Sequence, residues 1–159
     1  MSVIEKVKFV KGLAPAADRW NTDPATDIVS LALHKKAVFI VHQAGGTTGK
    51  ATLTVEACDD VSASATTAIP FAYSVGGDGS GAGGDATGTL TQATAAGFDT
   101  TAGSDRLYII EVDADTLPEG KPYLRLVCTE AVDDPVTGAV EIALFGGRYT
   151  GQSLDSAIA

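Results

Sequence analysis

Short stretches in which apolar and polar residues alternate run through most of this chain. In Ala51–Cys58, every second residue from Leu53 to Ala57 is apolar, with Thr or Glu between them. A period of two puts alternate side chains on opposite faces of a β-strand and does not fit a helix. Lys36–His42 is a continuous apolar run, which is typical of a central strand. The pattern predicts eight strands, at Asp27–Leu33, Lys36–His42, Ala51–Cys58, Ile69–Ser74, Thr87–Thr94, Arg106–Val112, Pro122–Thr129 and Gly138–Phe145.

The connections between these strands are rich in Gly, Asp, Thr, Ser and Ala, and no long stretch has helical periodicity. Short strands at regular spacing with turn residues between them predict an all-β fold, an antiparallel β-sandwich of jelly-roll-like form. A closed barrel is the nearest alternative. Residues 1–26 have little periodicity and contain Pro15 and Pro24, so we expect an irregular N-terminal arm. The sandwich domain would span residues 27–149, and residues 150–159 would form a short C-terminal tail.

The N-terminal arm carries Val7, Phe9, Val10 and the chain's single tryptophan, Trp20. The first three either add a strand to the sandwich or lie along a neighbouring subunit. Trp20 either covers one end of the core or is an exposed anchor for a partner. The sequence leaves both questions open.

Composition and charge disfavour some classes of partner. The chain has 159 residues, 45% of them hydrophobic, which suits one folded domain. The formal net charge is -9 and no basic stripe is present, which disfavours binding to nucleic acid and to anionic membranes. We see no signal peptide and no apolar window long enough to cross a membrane. We therefore expect a soluble protein that is made and assembled in the cytoplasm.

Cys58 and Cys128 each lie at the end of a predicted strand. We expect two free, buried thiols, with a disulfide between neighbouring strands as the alternative, because the sequence does not set their distance. Metal ligation is disfavoured, since neither cysteine has a Cys or His nearby in the sequence.

The segment Ala44–Ala51, AGGTTGKA, resembles a phosphate-binding loop only in part. Ala44 stands where the first glycine is required, Ala51 stands where the magnesium-binding hydroxyl is required, and a strand follows rather than a helix. We therefore expect a hairpin turn here. The glycine-rich loop Gly76–Gly88 has two aspartates, which are too few for a calcium site, and we expect a mobile loop.

Acidic pairs near strand ends are the remaining candidates for binding a divalent cation, and they are Asp59 with Asp60, Asp113 with Asp115, and Asp133 with Asp134. A calcium site would require these strand ends to converge, and solvated loop carboxylates are the more common outcome. Such pairs could also serve as the carboxylates of a glycosidase. However, one Trp and four Tyr provide few aromatic platforms for a sugar. We expect no metal and no cofactor.

No constellation for nucleophilic catalysis is visible. His34 and His42 do not stand in H-x-H or H-E-x-x-H spacing, and Ser30 and Ser74 lack the G-x-S-x-G context of a nucleophile elbow. We expect structural or surface histidines and a protein that is not an enzyme.

The chain as a whole combines small residues, short strands, a polar arm and an acidic charge. Seven segments distributed along the chain show this texture best, and they are Lys8–Pro15, Asp27–Leu33, Gly49–Cys58, Ile69–Ser74, Leu107–Leu117, Tyr123–Val132 and Gly146–Tyr149. In these segments, which include KFVKGLAP, GKATLTVEAC and GGRY, the chain resembles a decoration (cement) protein of a tailed-bacteriophage capsid. The resemblance lies in overall texture, because none of the segments is a chemical signature.

This resemblance implies a non-enzymatic structural protein on the exterior of the virion capsid, often a homotrimer, whose partner is the major capsid protein. It would stabilise the shell by bridging neighbouring subunits, because several linked contacts lower the off-rate of the whole. The residues expected to contact the capsid or a neighbouring subunit are Val7, Phe9, Val10, Leu13, Trp20, Arg148 and Tyr149. A truncation that lacks residues 1–20 would then fold yet lose capsid binding.

Two other roles stay open. Gly-rich loops at one end of a sandwich could bind a carbohydrate or a receptor on a virion or cell surface. Other head or tail components of a virion share the same texture. A hydrolase on a β scaffold is disfavoured, since no nucleophile and base stand in a recognisable pattern.

Overall fold

The computed structural model describes residue 3, residues 6–77 and residues 84–147, and this part of the chain is all-β. Its strands are β1 Val7–Ala16, β2 Val29–Ser30, β3 His34–Gln43, β4 Lys50–Cys58, β5 Thr66–Ile69, β6 Phe71–Val75, β7 Thr91–Ala93, β8 Phe98–Asp99, β9 Arg106–Asp113, β10 Tyr123–Val132 and β11 Gly138–Gly147. A short 3-10 helix, Ala114–Thr116, follows β9. Within the described residues, no helix has the length and apolar character that crossing a membrane requires.

Two antiparallel sheets form a sandwich. The six-stranded sheet has the order β1-β11-β3-β9-β6-β7, and the five-stranded sheet has the order β2-β10-β4-β5, with β8 also paired to β4. When β6, β7 and β8 are set aside, the remaining strands have the order β1-β11-β3-β9 in one sheet and β2-β10-β4-β5 in the other, which is the strand order of a jelly roll. The predicted jelly-roll-like sandwich is therefore confirmed, and the described residues form two open sheets in place of a closed barrel.

The strands that the sequence predicts most clearly form the centre of each sheet. β3 pairs with β11 on one side and with β9 on the other, and its inward residues Ala37, Phe39 and Val41 are fully buried. In the facing sheet, β4 and β10 pair along almost their whole lengths. The inward residues of both sheets are mostly Val, Ile, Leu and Ala, so the core is aliphatic.

One predicted strand is in fact two. Ile69–Ser74 divides at Pro70, because β5 ends at Ile69 in the five-stranded sheet and β6 begins at Phe71 in the six-stranded sheet. Proline has no N–H to donate to a ladder and has a fixed φ, so it favours a point where a strand leaves its sheet. The chain turns the corner of the sandwich at this residue.

Two other predicted strands are shorter than the sequence indicates. Only Val29–Ser30 of the predicted Asp27–Leu33 forms a strand, and only Thr91–Ala93 of the predicted Thr87–Thr94 does so. Both short strands, β2 and β7, lie at the edge of a sheet. An edge strand lacks one neighbour, so its length depends more on tertiary contacts than on its own residues.

The predicted irregular arm is mostly part of the sandwich, which corrects that expectation. β1 pairs with β11 from Val7 to Ala16, with irregularities on either side of Leu13. Further along, Thr26 N donates to the carbonyl of Leu126 at 2.9 Å, so the chain runs beside β10. Bulges break the period of two, and for this reason the strand is hidden in the sequence. The predicted tail, residues 150–159, lies outside the described residues.

Candidate interaction surface

Trp20 lies in the protein's own core, with 2% of its surface exposed. Its indole N–H donates to the Gln43 side-chain oxygen at 3.3 Å, and Gln43 is itself fully buried. The amide nitrogen of Gln43 donates to the carbonyls of Thr101 at 2.8 Å and Ser104 at 3.1 Å. Of the two interpretations of Trp20, the one in which it covers the core is confirmed. Trp20 is therefore not available to a partner in this fold.

The other predicted contact residues divide into buried and exposed ones. Val7 and Val10 are 7% and 5% exposed, and Leu13 is partly buried against the core. Phe9, in contrast, is 56% exposed. Arg148 and Tyr149 lie outside the described residues. Among the predicted contact residues that are described, Phe9 therefore offers the largest accessible apolar side chain.

Phe9 shares the outward face of the six-stranded sheet with a second exposed phenylalanine. Phe9 pairs with Ala143 of β11, and Phe145, two residues further on, pairs with Val7. Diagonal neighbours in an antiparallel pair have Cβ atoms about 7–8 Å apart, so both phenylalanines belong to one patch. Phe145 is 38% exposed. We call Phe9 and Phe145 the phenylalanine pair.

Sequence reasoning missed Phe145 as a contact residue, although it placed Phe145 at the end of a strand. Phe9 and Phe145 are separated by almost the whole chain, and they meet because the first and last strands are neighbours. No local pattern indicates that pairing.

Charged side chains border the phenylalanine pair. Lys36 of β3 stands opposite Phe145 and forms ion pairs with Glu111 and Asp113 of β9, the second at 3.4 Å. The hydrogen bond to the Glu111 carboxylate is the main cause of the raised pKa of Lys36. Lys11 lies two residues beyond Phe9 on the same face of β1. An apolar patch with a charged border is typical of a protein interface.

The glycine-bearing segment Ala44–Ala51 faces the connection between β10 and β11. The Asp134 carboxylate accepts hydrogen bonds from Thr48 N at 2.7 Å, Gly49 N at 3.1 Å and Thr48 Oγ1 at 3.3 Å. The bond from Thr48 N is the main cause of the lowered pKa of Asp134. The amides that would bind a phosphate therefore bind a carboxylate of the same chain. The expected hairpin is also corrected, because this segment joins β3 of one sheet to β4 of the other.

Members of the other two acidic pairs are also engaged by groups of the same chain. Asp60 accepts hydrogen bonds from the backbone nitrogens of Ser62 at 2.9 Å and Ser64 at 3.1 Å, which closes a tight turn. The bonds from Ser64 are the main cause of the lowered pKa of Asp60. Asp113 is 3.4 Å from Lys36 Nζ. In the part of the chain that the structure describes, no group of three or more His, Cys, Asp or Glu residues comes together as metal ligands.

His42 and Asp105 come nearest to a catalytic pair. His42 Nε2 lies 3.5 Å from Asp105 Oδ1, and the two side chains are 66% and 51% exposed. They border an open cleft of about 380 Å³ whose lining includes Thr87. The described residues include no hydrogen bond between His42 and Thr87, and a triad requires one between nucleophile and base. Residues 78–83 of the Gly76–Gly88 loop lie outside the described residues.

The other titratable candidates are buried. His34 is 4% exposed, and burial is the main cause of its lowered pKa. Cys58 and Cys128 are free and buried, as the sequence predicts, and burial raises the pKa of Cys128 to about 12. Cys58 pairs with Tyr123 and Cys128 with Leu53, so they stand five residues apart along the ladder. That spacing is about 17 Å, well beyond the roughly 7 Å limit between the Cα atoms of a disulfide.

Comparisons with known proteins add little to this geometry. No protein-family model and no curated protein matches the chain. Among solved structures, it is similar to the SPBc2 prophage-derived protein YomS, with 12% sequence identity and a TM-score of 0.45. The likeness covers 92% of this chain and 98% of that one. A likeness of this strength identifies neither a family nor a function.

Proposed function

We propose that this protein is a non-enzymatic structural protein of a phage virion, which binds the outer surface of the capsid and stabilises it by bridging major capsid protein subunits. The observation that carries the proposal is the phenylalanine pair, because these two are the aromatic residues among the exposed large apolar side chains of the described residues and they stand on one sheet face. Aromatic residues on a rigid surface are the usual anchors of protein interfaces. The sequence resemblance supplies the identity of the partner.

The rigidity of the fold supports a bridging role. The Gln43 network joins Trp20 and β3 to the loop at Thr101–Ser104, and Asp134 fixes the segment that enters β4. Phe9 and Phe145 themselves lie on β1 and β11, which pair with each other, and β11 pairs with β3 on its other side, so the contact face loses little conformational freedom on binding. Low entropy loss favours tight attachment, and attachment at several points across capsomer borders would oppose the outward pressure of packaged DNA.

The acidic net charge of the protein is consistent with the same role. A net charge of -9 keeps an exterior protein soluble and disfavours contact with the packaged nucleic acid and with anionic membranes. A homo-oligomer, a trimer by the resemblance, would present several copies of the phenylalanine pair to the lattice. We place assembly in the host cytoplasm and the mature protein on the capsid exterior.

A carbohydrate-binding role has less support. None of the described residues that line the cleft beside His42 is a Phe, Tyr or Trp. Phe71, Tyr73, Phe98 and Tyr108 pack on one another instead, with Tyr73 and Phe98 stacked at 3.8 Å. Aromatic rings that pack against each other do not provide an exposed face on which a sugar could stack.

Purified protein added to undecorated capsids of the cognate tailed phage tests the proposal. We expect stoichiometric binding and a higher temperature of capsid disruption in a thermal scan. The double variant Phe9→Ala/Phe145→Ala should bind roughly tenfold more weakly or worse, because an aromatic anchor contributes about 1–3 kcal/mol. Leu90→Ala, which truncates another exposed apolar side chain, is the matched control and should bind normally. Capsids that ignore the wild-type protein would overturn the proposed function.

A further inference from the structure

The central strands of the six-stranded sheet are apolar on both of their faces. In β3, the outward residues Val38 and Ile40 alternate with inward residues that belong to the core. In β9, the outward residues Leu107 and Ile109 alternate with core residues in the same way. A continuous apolar run is typical of a strand that is covered on both faces, whereas a strand with one solvated face alternates apolar and polar residues. These runs therefore indicate a second cover, which the described part of the sandwich does not supply.

The four outward side chains form one surface. Val38 and Ile40 lie two positions apart on β3, and Ile40 stands opposite Ile109 in the ladder between β3 and β9. Leu107 lies two positions from Ile109, and all four residues are partly exposed. Every described strand belongs to one of the two sheets, so no described strand lies over these residues. We call Val38, Ile40, Leu107 and Ile109 the aliphatic face.

The outward face of the five-stranded sheet has the opposite character. Its central strands present Thr52, Thr54 and Glu56 on β4, and Arg125 and Val127 on β10. The Arg125 guanidinium donates to the Glu56 carboxylate at 2.8 Å. A polar face of this kind is the ordinary solvated side of an antiparallel sheet. The aliphatic face is therefore a specific feature of one sheet.

Small residues flank the aliphatic face on both sides. β11 presents Ala139 and Ala143 beside β3, and β6 presents Ala72 and Ser74 beside β9. The larger side chains of β3 and β9 therefore form a ridge between two lower margins. Sheets that pack face to face lie about 10 Å apart, and their side chains interdigitate. A ridge with low margins suits packing against a second apolar sheet face.

The charged side chains around the aliphatic face have partners of opposite sign within the chain. Lys36 contacts Glu111 and Asp113, and Glu141 stands opposite Lys11 in the ladder between β1 and β11. Two lysines therefore face three carboxylates, in a chain whose net charge is -9. Two copies of an acidic protein repel each other, and the repulsion is smallest where both surfaces are nearly neutral. The charge distribution thus favours this face as the place where two copies approach.

The size of the face is sufficient for a contact between two copies. The four strands β11, β3, β9 and β6 are together about 19 Å wide, and their outward positions extend over about 27 Å. The projected area is on the order of 500 Å² per copy, or about 1,000 Å² for two copies, which reaches the lower limit for a specific interface.

We propose that the aliphatic face packs against the same face of a second copy of this chain, so that the free protein is a dimer. A second copy supplies what the face requires, a flat apolar surface of equal size with almost no net charge. A face that packs on itself closes at two copies. The contact is centred on β3 and β9, whereas the phenylalanine pair lies on β1 and β11, so the contact between copies and the proposed capsid contact use different strands.

The mass of the free protein in the absence of capsids is the first test. Sedimentation velocity over a concentration series should give twice the chain mass of 16.1 kDa at micromolar concentrations. A monomer throughout the series would overturn the inference. A trimer, which the resemblance implies, would overturn it as well, because three copies in a ring need contacts between two different surfaces.

Removal of the apolar contact is the second test. The variant Ile40→Thr/Ile109→Thr should raise the dimer dissociation constant at least about 100-fold, since each copy loses two apolar side chains from the centre of the contact. Threonine is a good strand former, so the fold should persist, and melting temperatures verify this. The matched control is Val61→Thr/Val127→Thr, which makes the same kind of change away from the aliphatic face and should leave the constant unchanged. Equal constants for the two variants would show that the face is not the contact.

Salt provides a third measurement, which needs no variant. The screening length falls from about 10 Å at 0.1 M salt to about 3 Å at 1 M, so added sodium chloride weakens repulsion between two acidic copies. We therefore expect the wild-type dimer to persist or to tighten as the salt concentration rises. A dimer that dissociates at high salt is held by charge pairs between copies, and this result would contradict the inference.

The inference does not depend on capsid binding, and the outcomes keep the two apart. A dimer with these properties that does not bind capsids supports the inference and refutes the proposed function. A protein that binds capsids but is a monomer when free supports the proposed function and refutes the inference.

Discussion

Gln43 is the side chain that connects Trp20 to the loop at Thr101–Ser104. It is fully buried, accepts the Trp20 indole N–H, and donates to the two carbonyls of Thr101 and Ser104. A buried amide of this kind is stabilising only because each of its partners is satisfied, since an orphaned buried group loses its hydration without compensation.

Gln43→Ala should therefore be strongly destabilising. The substitution leaves the Trp20 indole N–H and two loop carbonyls without their partner, and we expect a loss of about 2–4 kcal/mol in the free energy of unfolding. Urea denaturation followed by tryptophan fluorescence measures it. Gln92→Ala, on the exposed face of β7, is the control and should change stability by less than about 0.5 kcal/mol. Equal stability of the two variants would contradict the role of the network.

Asp134 links stability to pH at the residue scale. Its pKa is lowered in the folded state, chiefly by the hydrogen bond from Thr48 N, with a further bond from Gly49 N. A carboxyl group with a lowered folded pKa stabilises the protein above its unfolded pKa, near 3.8. That stabilisation is lost as the pH falls through the folded value.

Asp134→Asn should lower the melting temperature near pH 6 and lose this effect in acid. The neutral amide cannot reproduce a carboxylate that accepts three hydrogen bonds. The melting temperatures of variant and wild type should converge as the pH falls through the lowered folded pKa of Asp134, because both side chains are then neutral. A pH series of thermal scans checks this, with Asp133→Asn as the neighbouring control. A difference that persists unchanged in acid would show that the carboxylate charge is irrelevant.

At the scale of elements, alanine substitutions at two glycines distinguish the cost of a positive φ from the cost of steric crowding. Gly97, at the turn into β8, and Gly120, before β10, have nearly the same positive φ, 76° and 77°. A Cβ on Gly97 would lie 2.0 Å from the carbonyl oxygen of Leu53, whereas a Cβ on Gly120 would meet nothing within 4 Å. The left-handed conformation disfavours alanine equally at both positions, so any difference between them reports the contact.

Gly120→Ala should lower the free energy of unfolding by about 1 kcal/mol, the ordinary result of placing alanine at positive φ. Gly97→Ala should lower it by about 3 kcal/mol or more, because β4 must shift to admit the methyl group. Chemical denaturation of the two variants gives the comparison. If both lose the same stability, the turn at Gly97 has room that the structure does not indicate.

The N-terminal strand is a structural element, and this changes the expected result of truncation. Removal of residues 1–20 would take away β1, the buried Val10 and Trp20, and leave the edge of β11 unpaired. We therefore expect loss of cooperative unfolding or a drop in melting temperature of tens of degrees, in place of a folded protein without capsid binding. Removal of residues 1–5 alone is the control and should preserve the fold. A stable, cooperative protein without residues 1–20 would contradict the role of β1.

At the scale of the whole molecule, the jelly-roll connectivity brings together the residues of the proposed contact face. β1 and β11 are the first and last strands of the chain, yet they are neighbours in the six-stranded sheet. Their pairing brings Phe9 and Phe145 together, and the neighbouring β3 adds Lys36. The proposed contact face is therefore absent from every individual element and arises from the order of strands.

The sequence by itself determined the fold class, the central strands, the buried thiols and the acidic charge. Alternation of apolar and polar residues is a local consequence of strand geometry. Each of the strands β3, β4, β9, β10 and β11 can therefore be recognised from its own residues, without knowledge of its neighbour in the sheet. The departures of Ala44–Ala51 from the phosphate-loop pattern were equally local.

Only the tertiary structure decided the rest. It made the arm an edge strand, buried Trp20 against Gln43, divided the predicted strand at Pro70, and filled the Ala44–Ala51 loop with the Asp134 carboxylate. Each of these depends on residues that are distant in sequence and adjacent in space. Strand order and register are set by the packing of two complete sheets, and no short window of the chain contains that information.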